Sequence, residues 1–144
     1  MKHYLSLMLC LALFAGANAQ TGHSGKATPP EAVVMAFEKE FVGSKHAKWA
    51  KEEANFEVNF SRNGKDGSAL YDTGGKLLET EWDIPIAELP KSVAEYLSLN
   101  YKGVKVSEAS KIIKADGTIQ YEAEVKGKDL MFDADGKFIN KKND

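Results

Sequence analysis

The fold is predicted from the segment Pro30-Glu31-Ala32-Val33-Val34-Met35-Ala36-Phe37-Glu38-Lys39-Glu40-Phe41-Val42-Gly43. Its bulkiest apolar residues recur every four positions, so they lie along one side of an α-helix: Val33, Phe37 and Phe41. The charged residues between them occupy the opposite side. The segment opens with proline, which fits the first turn of a helix, and ends with glycine, which commonly follows the last turn. We expect the hydroxyl of Thr28 to cap the start of this helix.

The same pattern recurs sixty residues later. Pro90 opens a second segment, Gly103 ends it, and apolar residues again recur every four positions between them: Val93, Leu97 and Tyr101. Each of these five positions is displaced by sixty from its counterpart in the first segment. Five matches in phase indicate an internal repeat, because chance readily produces one such match but not the whole set.

Strand-like segments follow each predicted helix. Residues 56–60 and 119–125 alternate apolar and polar side chains, which is typical of a β-strand with one buried and one solvated face. Short turns rich in glycine and asparagine separate these segments and favour antiparallel hairpins. The pattern predicts four strands after each helix, at residues 46–52, 55–61, 67–72 and 76–81 and at residues 104–114, 118–126, 129–133 and 137–141.

The predicted fold class is α+β, a tandem repeat of one helix plus a four-stranded antiparallel sheet, with each helix packed on one face of its sheet. We expect the two repeats, residues 29–82 and residues 83–144, to form one compact unit. A half of about 60 residues would be only marginally stable alone. If the halves share a sheet, the face opposite the helices stays open.

The first nineteen residues have the pattern of a secretory signal peptide. Lys2-His3 precedes an almost wholly apolar run at residues 5–16, and Ala17-Asn18-Ala19 provides the small residues of a cleavage site. We predict cleavage near Ala19, a periplasmic or secreted location, and a flexible tail at residues 20–28. The apolar run is shorter than a bilayer span, so we expect no membrane insertion of the mature chain.

Composition excludes several classes of function. The chain has 144 residues, with 19 Lys+Arg against 21 Asp+Glu and a formal net charge of -2. It therefore has no basic excess with which to bind a phosphate backbone, and we expect no nucleic acid partner. Its single cysteine, Cys10, lies within the predicted signal peptide. The mature domain would then have no disulfide and would depend on its hydrophobic core.

The sequence contains no convincing catalytic group. The mature chain retains His23 in the predicted tail and His46 near a strand start, and neither accompanies a nucleophile motif. Glu79 and Glu81 share one face of a predicted strand, about 6.5–7 Å apart along the backbone, a spacing that could serve acid–base chemistry. We interpret them instead as charges that keep an edge strand solvated. We therefore expect a protein that is not an enzyme and needs no cofactor.

One acidic turn resembles a fragment of a calcium-binding loop. Asp133 and Asp135 are followed by Gly136, as in the first half of such a loop. The fifth position, however, is Lys137, and the twelfth is Asp144, the last residue. A hairpin turn closed by an aspartate side chain explains the same residues. Asp133 and Asp135 are thus the metal-binding candidates of an alternative hypothesis.

Several blocks of the chain, in this order, resemble the PepSY-like, beta-lactamase-inhibitor-like periplasmic protein family of Bacteroidetes-type bacteria. The blocks are residues 49–52, 56–60, 63–65, 71–76, 89–93, 121–125 and 132–137. The resemblance covers residues 30–141. It implies a tandem fold similar to that of beta-lactamase inhibitory protein, in which a concave sheet grips a partner enzyme. PepSY domains more broadly resemble protease-inhibitory or regulatory modules.

Three aromatic residues are the candidate contacts with a partner protein: Tyr71, Trp82 and Tyr101. Exposed tryptophan and tyrosine side chains commonly anchor protein interfaces. The alternative for Trp82 is that it fills the seam between the two halves. We predict a secreted or periplasmic protein-binding module that inhibits or regulates an envelope or secreted enzyme by steric occlusion. The alternatives are a cell-envelope structural or assembly factor and a small-ligand or calcium-binding protein.

Overall fold

The computed structural model describes residues 27–141. The predicted signal peptide, residues 1–19, and nearly all of the predicted tail lie outside the described residues. The elements follow in the order α1 (Glu31–Glu40), β1 (Lys45–Glu52), β2 (Asn55–Arg62), β3 (Lys65–Tyr71), β4 (Leu77–Asp83), a 3-10 turn (Ile86–Glu88), α2 (Lys91–Asn100), β5 (Val106–Lys114), β6 (Ile119–Val125), β7 (Asp129–Asp133) and β8 (Phe138–Lys141). A helix followed by four strands therefore occurs twice.

Both helices begin after a proline and end at an aromatic residue. Pro30 and Pro90 occupy the N-cap positions, and neither helix start has a side-chain cap. The predicted capping role of Thr28 is therefore wrong, because Pro30 takes the N-cap position and Thr28 lies two residues before it. At the other end, the backbone N–H groups of Phe41 and Tyr101 donate to carbonyl oxygens four residues earlier. No helix within residues 27–141 is long and apolar enough to cross a membrane.

The strands form one antiparallel sheet of eight, in the order β1 to β8. The four-stranded sheets predicted for the two halves are joined because β4 pairs with β5, from Glu79 opposite Lys114 to Asp83 opposite Ser110. β4 is consequently a central strand. The interpretation of Glu79 and Glu81 as charges on an edge strand is wrong, since β3 and β5 flank them on both sides.

Two hydrophobic cores lie on one side of this sheet, each beneath its own helix. The first joins α1 to β2 and β3 and consists of Val33, Phe37, Phe41, Phe56, Val58, Phe60, Ala69 and Tyr71. The second joins α2 to β6 and β7 and consists of Val93, Leu97, Ala123, Val125, Leu130 and Phe132. Five of the six residues in the predicted apolar stripes are buried core residues, and the sixth, Tyr101, is half-buried against the second core. The helices thus cover one face of the sheet.

The last hairpin of each half contacts the first turn of its own helix through a glycine. A Cβ atom on Gly75 would lie 2.7 Å from the carbonyl oxygen of Ala32, and one on Gly136 would overlap the hydroxyl of Ser92. Both glycines also have positive φ angles, of 85° and 76°. The Ser92 hydroxyl donates a 2.5 Å hydrogen bond to the carbonyl oxygen of Asp135. These close contacts fix the position of each helix on the sheet.

Candidate functional site

The face of the sheet opposite the helices, called the open face below, is the candidate site. Successive residues of a strand point to opposite faces. Phe56, Val58 and Phe60 pack beneath α1, so Glu57 and Asn59 lie between them on the open face. Cross-strand partners share a face, and the strand register therefore extends this assignment across the sheet.

Three adjacent rows of cross-strand partners form the centre of the open face. The first row is Ala50, Glu57, Leu70, Glu79 and Lys114; the second is Lys48, Asn59, Ser68, Glu81, Ile112, Gln120 and Asp133; the third is Asp83, Ser110, Glu122, Met131 and Asn140. Acidic residues concentrate on β2, β4 and β6. Apolar residues lie on the strands between them, and all three are buried: Leu70, Ile112 and Met131.

The apolar residues of the open face are separate from the two cores beneath the helices. Ile112 and Met131 form a cluster of their own on β5 and β7. Leu70 lies on β3, beside the carboxylate of Glu79 in the first row. Sheet faces that are merely solvated carry polar residues in such positions. The open face therefore combines apolar and charged side chains, as interfaces between proteins do.

The charges of the open face are incompletely balanced. Glu79 is 3% exposed, and its Oε2 atom forms an ion pair with Lys114 on the neighbouring strand. At the end of β4, desolvation raises the pKa of Asp83, and the negative charges of Asp66 and Glu108 raise it further. A raised pKa means that the charged form of the carboxyl group is disfavoured, and a cation brought close to the group stabilises that charged form.

On the open face, the Oε1 atom of Glu79 and the Oγ atom of Ser110 are buried and have no hydrogen-bond partner among residues 27–141. Ser110 is 5% exposed. Ser110 lies opposite Asp83 in the third row. Buried polar groups in folded proteins are normally hydrogen-bonded, and leaving one unsatisfied costs about 1–3 kcal/mol. Both atoms can accept a hydrogen bond from a bound molecule.

The structure does not bring the three predicted aromatic contacts together, and it places Tyr71 on the helix side of the sheet. Tyr71 is 1% exposed and belongs to the core beneath α1. Burial raises the pKa of its hydroxyl, and the charge of Glu40 contributes to the same shift. The strand alternation explains this position, because Tyr71 lies opposite Phe56 and therefore faces the helix.

Trp82 lies on the helix side as well, packed against the first core rather than between the halves. Its ring centroid is 5.3 Å from that of Phe60 and 6.2 Å from that of Phe41. Gly67 lies directly opposite, and a Cβ atom there would be 2.8 Å from the indole. The absence of a side chain at Gly67 thus leaves the space that the indole fills. Tyr101, the half-buried residue at the end of α2, packs against the second core.

The two metal-binding candidates form a hairpin turn. The Oδ1 atom of Asp133 accepts hydrogen bonds from the backbone N–H groups of Asp135 and Lys137, at 3.0 and 2.9 Å. Asp72 closes the corresponding turn of the first half in the same way, with two hydrogen bonds of 2.9 Å. Within residues 27–141, no group of three or more acidic, histidine or cysteine residues is placed to hold a metal ion.

A shallow depression of about 370 Å³ lies beside Tyr101 at the end of α2. Three exposed lysines line it: Lys102, Lys126 and Lys128. In the first half, the guanidinium group of Arg62 lies over the ring of Phe41, 6.0 Å from its centroid, whereas the second half has Val125 at the corresponding hairpin position. Lysines near the carboxyl end of a helix favourably oppose its dipole. We therefore assign these lysines to the stability of α2.

Sequence reasoning found the open face but missed most of the residues at its centre. Sequence alternation places Glu79 and Glu81 together on one face, but no local pattern marks Ser110, Ile112 and Met131 as their neighbours. Ser110 and Ile112 belong to the segment Ala109-Ser110-Lys111-Ile112-Ile113, where apolar residues on both faces hide the alternation. Pairing of β4 with β5 is the missing information, because it places these residues beside the carboxylates.

The fold is similar to that of solved structures from Bacteroides species. A "putative periplasmic" protein of Bacteroides eggerthii is 15% identical, with a TM-score of 0.73, over 81% of this chain and 90% of that one. A DUF2874 family protein of Bacteroides uniformis is 19% identical, with a TM-score of 0.71 and the same coverage. A BLIP-like protein of Bacteroides fragilis is 21% identical, with a TM-score of 0.65, over 82% and 88% of the two chains.

No protein-family model matches the chain, and no curated protein sequence matches it. At these identities the similarity establishes the fold: one antiparallel sheet with two helices, as in a BLIP-like protein. The beta-lactamase-inhibitor-like part of the predicted resemblance agrees with this fold. Its PepSY-like part stays a prediction.

Proposed function

We propose that this protein is a periplasmic, non-enzymatic protein-binding module and that the open face is its contact surface. The observation that carries the proposal is that buried apolar residues lie among charged ones in all three rows of that face, outside both helix cores: Leu70, Ile112 and Met131. Apolar side chains framed by polar ones are the usual composition of a protein interface. The BLIP-like fold of the Bacteroides fragilis protein supports the same assignment.

The open face is large enough for specific recognition. Eight strands with seven spacings of about 4.8 Å span roughly 34 Å, and a strand of seven residues is about 23 Å long. The product, roughly 800 Å², equals the area that each partner contributes to an interface of standard size. Because sheets twist, such a surface is curved and complements a convex partner. Binding would block the covered surface of the partner without any chemical step.

Export and internal duplication belong to the same proposal. The pattern of residues 1–19 supports removal of a signal peptide near Ala19, and the similar Bacteroides eggerthii protein is described as periplasmic. Residues 29–82 and residues 83–144 would be two copies of one ancestral unit. The exact displacement of α2 from α1 by sixty residues supports this, as do the matching aspartate-closed hairpins.

Affinity capture with steric variants tests the proposal. The mature chain is immobilised and exposed to a periplasmic extract of a Bacteroides species, and bound proteins are identified by mass spectrometry. Asn59→Trp and Gln120→Trp each add bulk to the second row of the open face. Lys39→Trp and Ala94→Trp add the same bulk at exposed helix positions.

We expect one protein to be captured by the wild type and by both helix variants, and to be lost with both open-face variants. Circular dichroism and thermal unfolding establish that all four variants are folded. Capture that survives bulk on the open face, or that is lost with the helix variants instead, would overturn the proposal.

A further inference from the structure

The charge of the open face differs from that of the chain as a whole. The chain is nearly balanced, with 19 basic and 21 acidic residues. The three central rows of the open face contain six acidic residues and two lysines. One of these lysines, Lys114, is already paired with Glu79. On the same strands, Lys51, Lys111 and Arg62 lie on the helix side, because their cross-strand partners or neighbours do.

The acidic residues of the open face are spaced rather than clustered at one point. Five of the six lie on every second strand, on β2, β4 and β6, and the sixth, Asp133, lies on β7. Alternate strands are about 9.5 Å apart. Ile112 and Met131 lie on β5 and β7, beside and between these acidic strands. Lysine and arginine side chains have an apolar stem and a charged end. An array of spaced carboxylates with apolar strips beside them fits several such side chains at once.

The buried acceptors point to the same kind of ligand. The unpartnered Oε1 atom of Glu79 and the Oγ atom of Ser110 lie in adjacent regions of the open face, on β4 and β5. Ammonium and guanidinium groups carry only hydrogen-bond donors. A hydrogen-bond donor is what each of these two oxygen atoms lacks. Hydrogen bonds from a charged donor are also the strongest that a carboxylate accepts.

We infer that the open face recognises a basic protein surface, on which lysine or arginine side chains surround an apolar contact. This inference rests on the proposed function and adds the chemistry of the partner. The acidic face attracts such a surface over a distance of several ångströms, which accelerates association. Salt weakens this attraction, because the screening length falls to about 8 Å at physiological ionic strength.

Isothermal titration with a defined basic protein tests the inference. Cytochrome c, a small basic protein, is the probe, and succinylated cytochrome c, in which the lysines carry negative charge, is its control. Asp66→Lys with Asp83→Lys reverses two exposed charges at one end of the open face. Glu38→Lys with Glu53→Lys makes the same total change in charge at exposed positions outside the three rows.

We expect wild type and the Glu38/Glu53 variant to bind cytochrome c and the Asp66/Asp83 variant to bind it roughly tenfold more weakly. Succinylated cytochrome c should bind to none of them. Equal weakening by both double variants would overturn the inference, as would absence of binding by the wild type. If the steric variants abolish capture of a partner while the charge variants leave that capture unchanged, the proposed function stands and the basic-partner inference fails.

Discussion

Replacement of Trp82 by alanine distinguishes a structural role for this residue from a role in partner contact. The indole packs against Phe60 and Phe41 and covers the backbone at Gly67. The residue belongs to the margin of the first core and lies on the helix side of the sheet. The variant should therefore lose stability and keep the binding surface of the folded protein.

The size of the effect follows from these contacts. Removal of a buried tryptophan or phenylalanine side chain costs about 3–5 kcal/mol, and Trp82 is only half-buried. Two aromatic pairs are lost, each worth about 0.5–1.5 kcal/mol beyond area burial. We expect the free energy of unfolding to fall by about 3 kcal/mol, near the lower end of the range for buried aromatic residues. A domain with a total stability of about 5–15 kcal/mol would remain folded.

Urea unfolding at 25 °C measures this loss. The chain has two tryptophans, so in the variant the remaining one, Trp49, reports on the same core through its contact with Phe37. Leu99→Ala is the control, because Leu99 is strongly exposed on α2 and should change stability by less than about 0.5 kcal/mol. A Trp82→Ala protein of unchanged stability that no longer captures its partner would refute the structural assignment.

Three further substitutions test other parts of the structure. Tyr71→Phe removes a buried hydroxyl that has no hydrogen-bond partner among residues 27–141. The free energy of unfolding, measured by urea titration, should therefore rise by about 1 kcal/mol. If the variant instead loses partner binding, Tyr71 is a contact residue. Ser92→Ala removes the hydrogen bond to the Asp135 carbonyl and should lower the free energy of unfolding by about 0.5–1 kcal/mol, with Ser98→Ala, at an exposed site on the same helix, as the control. Folding raises the pKa of Asp83 above its ordinary value of 3.8. Between the pKa of the unfolded state and that of the folded state, the folded state therefore binds more protons. The free energy of unfolding consequently falls as pH rises through that window. Asp83→Asn should therefore stabilise the protein at about pH 7 and have no such effect at about pH 3, where Asp83 is protonated in both states; thermal unfolding at the two pH values measures the difference, and a stabilisation of equal size at both would contradict this explanation.

The local elements could be predicted from the sequence because each is specified by neighbouring residues. Four-residue apolar spacing between a proline and a glycine specified both helices, and alternation between turn residues specified the strands. The strand β7, at Asp129–Asp133, was predicted with its observed bounds. Helix capping was mispredicted at Thr28, because two consecutive prolines move the helix start past that hydroxyl.

The open face could be predicted only in outline, because its composition depends on which strands pair across the two halves. Glu79 and Glu81 lie in a segment that, on its own, resembles a solvated edge. Pairing of β4 with β5 places Lys114 and Ile112 beside them and converts that segment into the middle of the sheet. The place of Trp82 depends on strand pairing in the same way. Its exposure depends on Gly67, which lies fifteen residues earlier and directly opposite.

Modification of single cysteines tests most directly whether the open face is the contact surface. The only cysteine, Cys10, precedes the predicted cleavage site, so one cysteine added to the mature chain is the only thiol to label. Gln120→Cys places it in the second row of the open face, and Ala94→Cys places it on the exposed side of α2. Coupling a bulky maleimide should abolish capture of the partner for Gln120→Cys and leave it intact for Ala94→Cys. Undiminished capture by the modified Gln120→Cys protein would contradict the account.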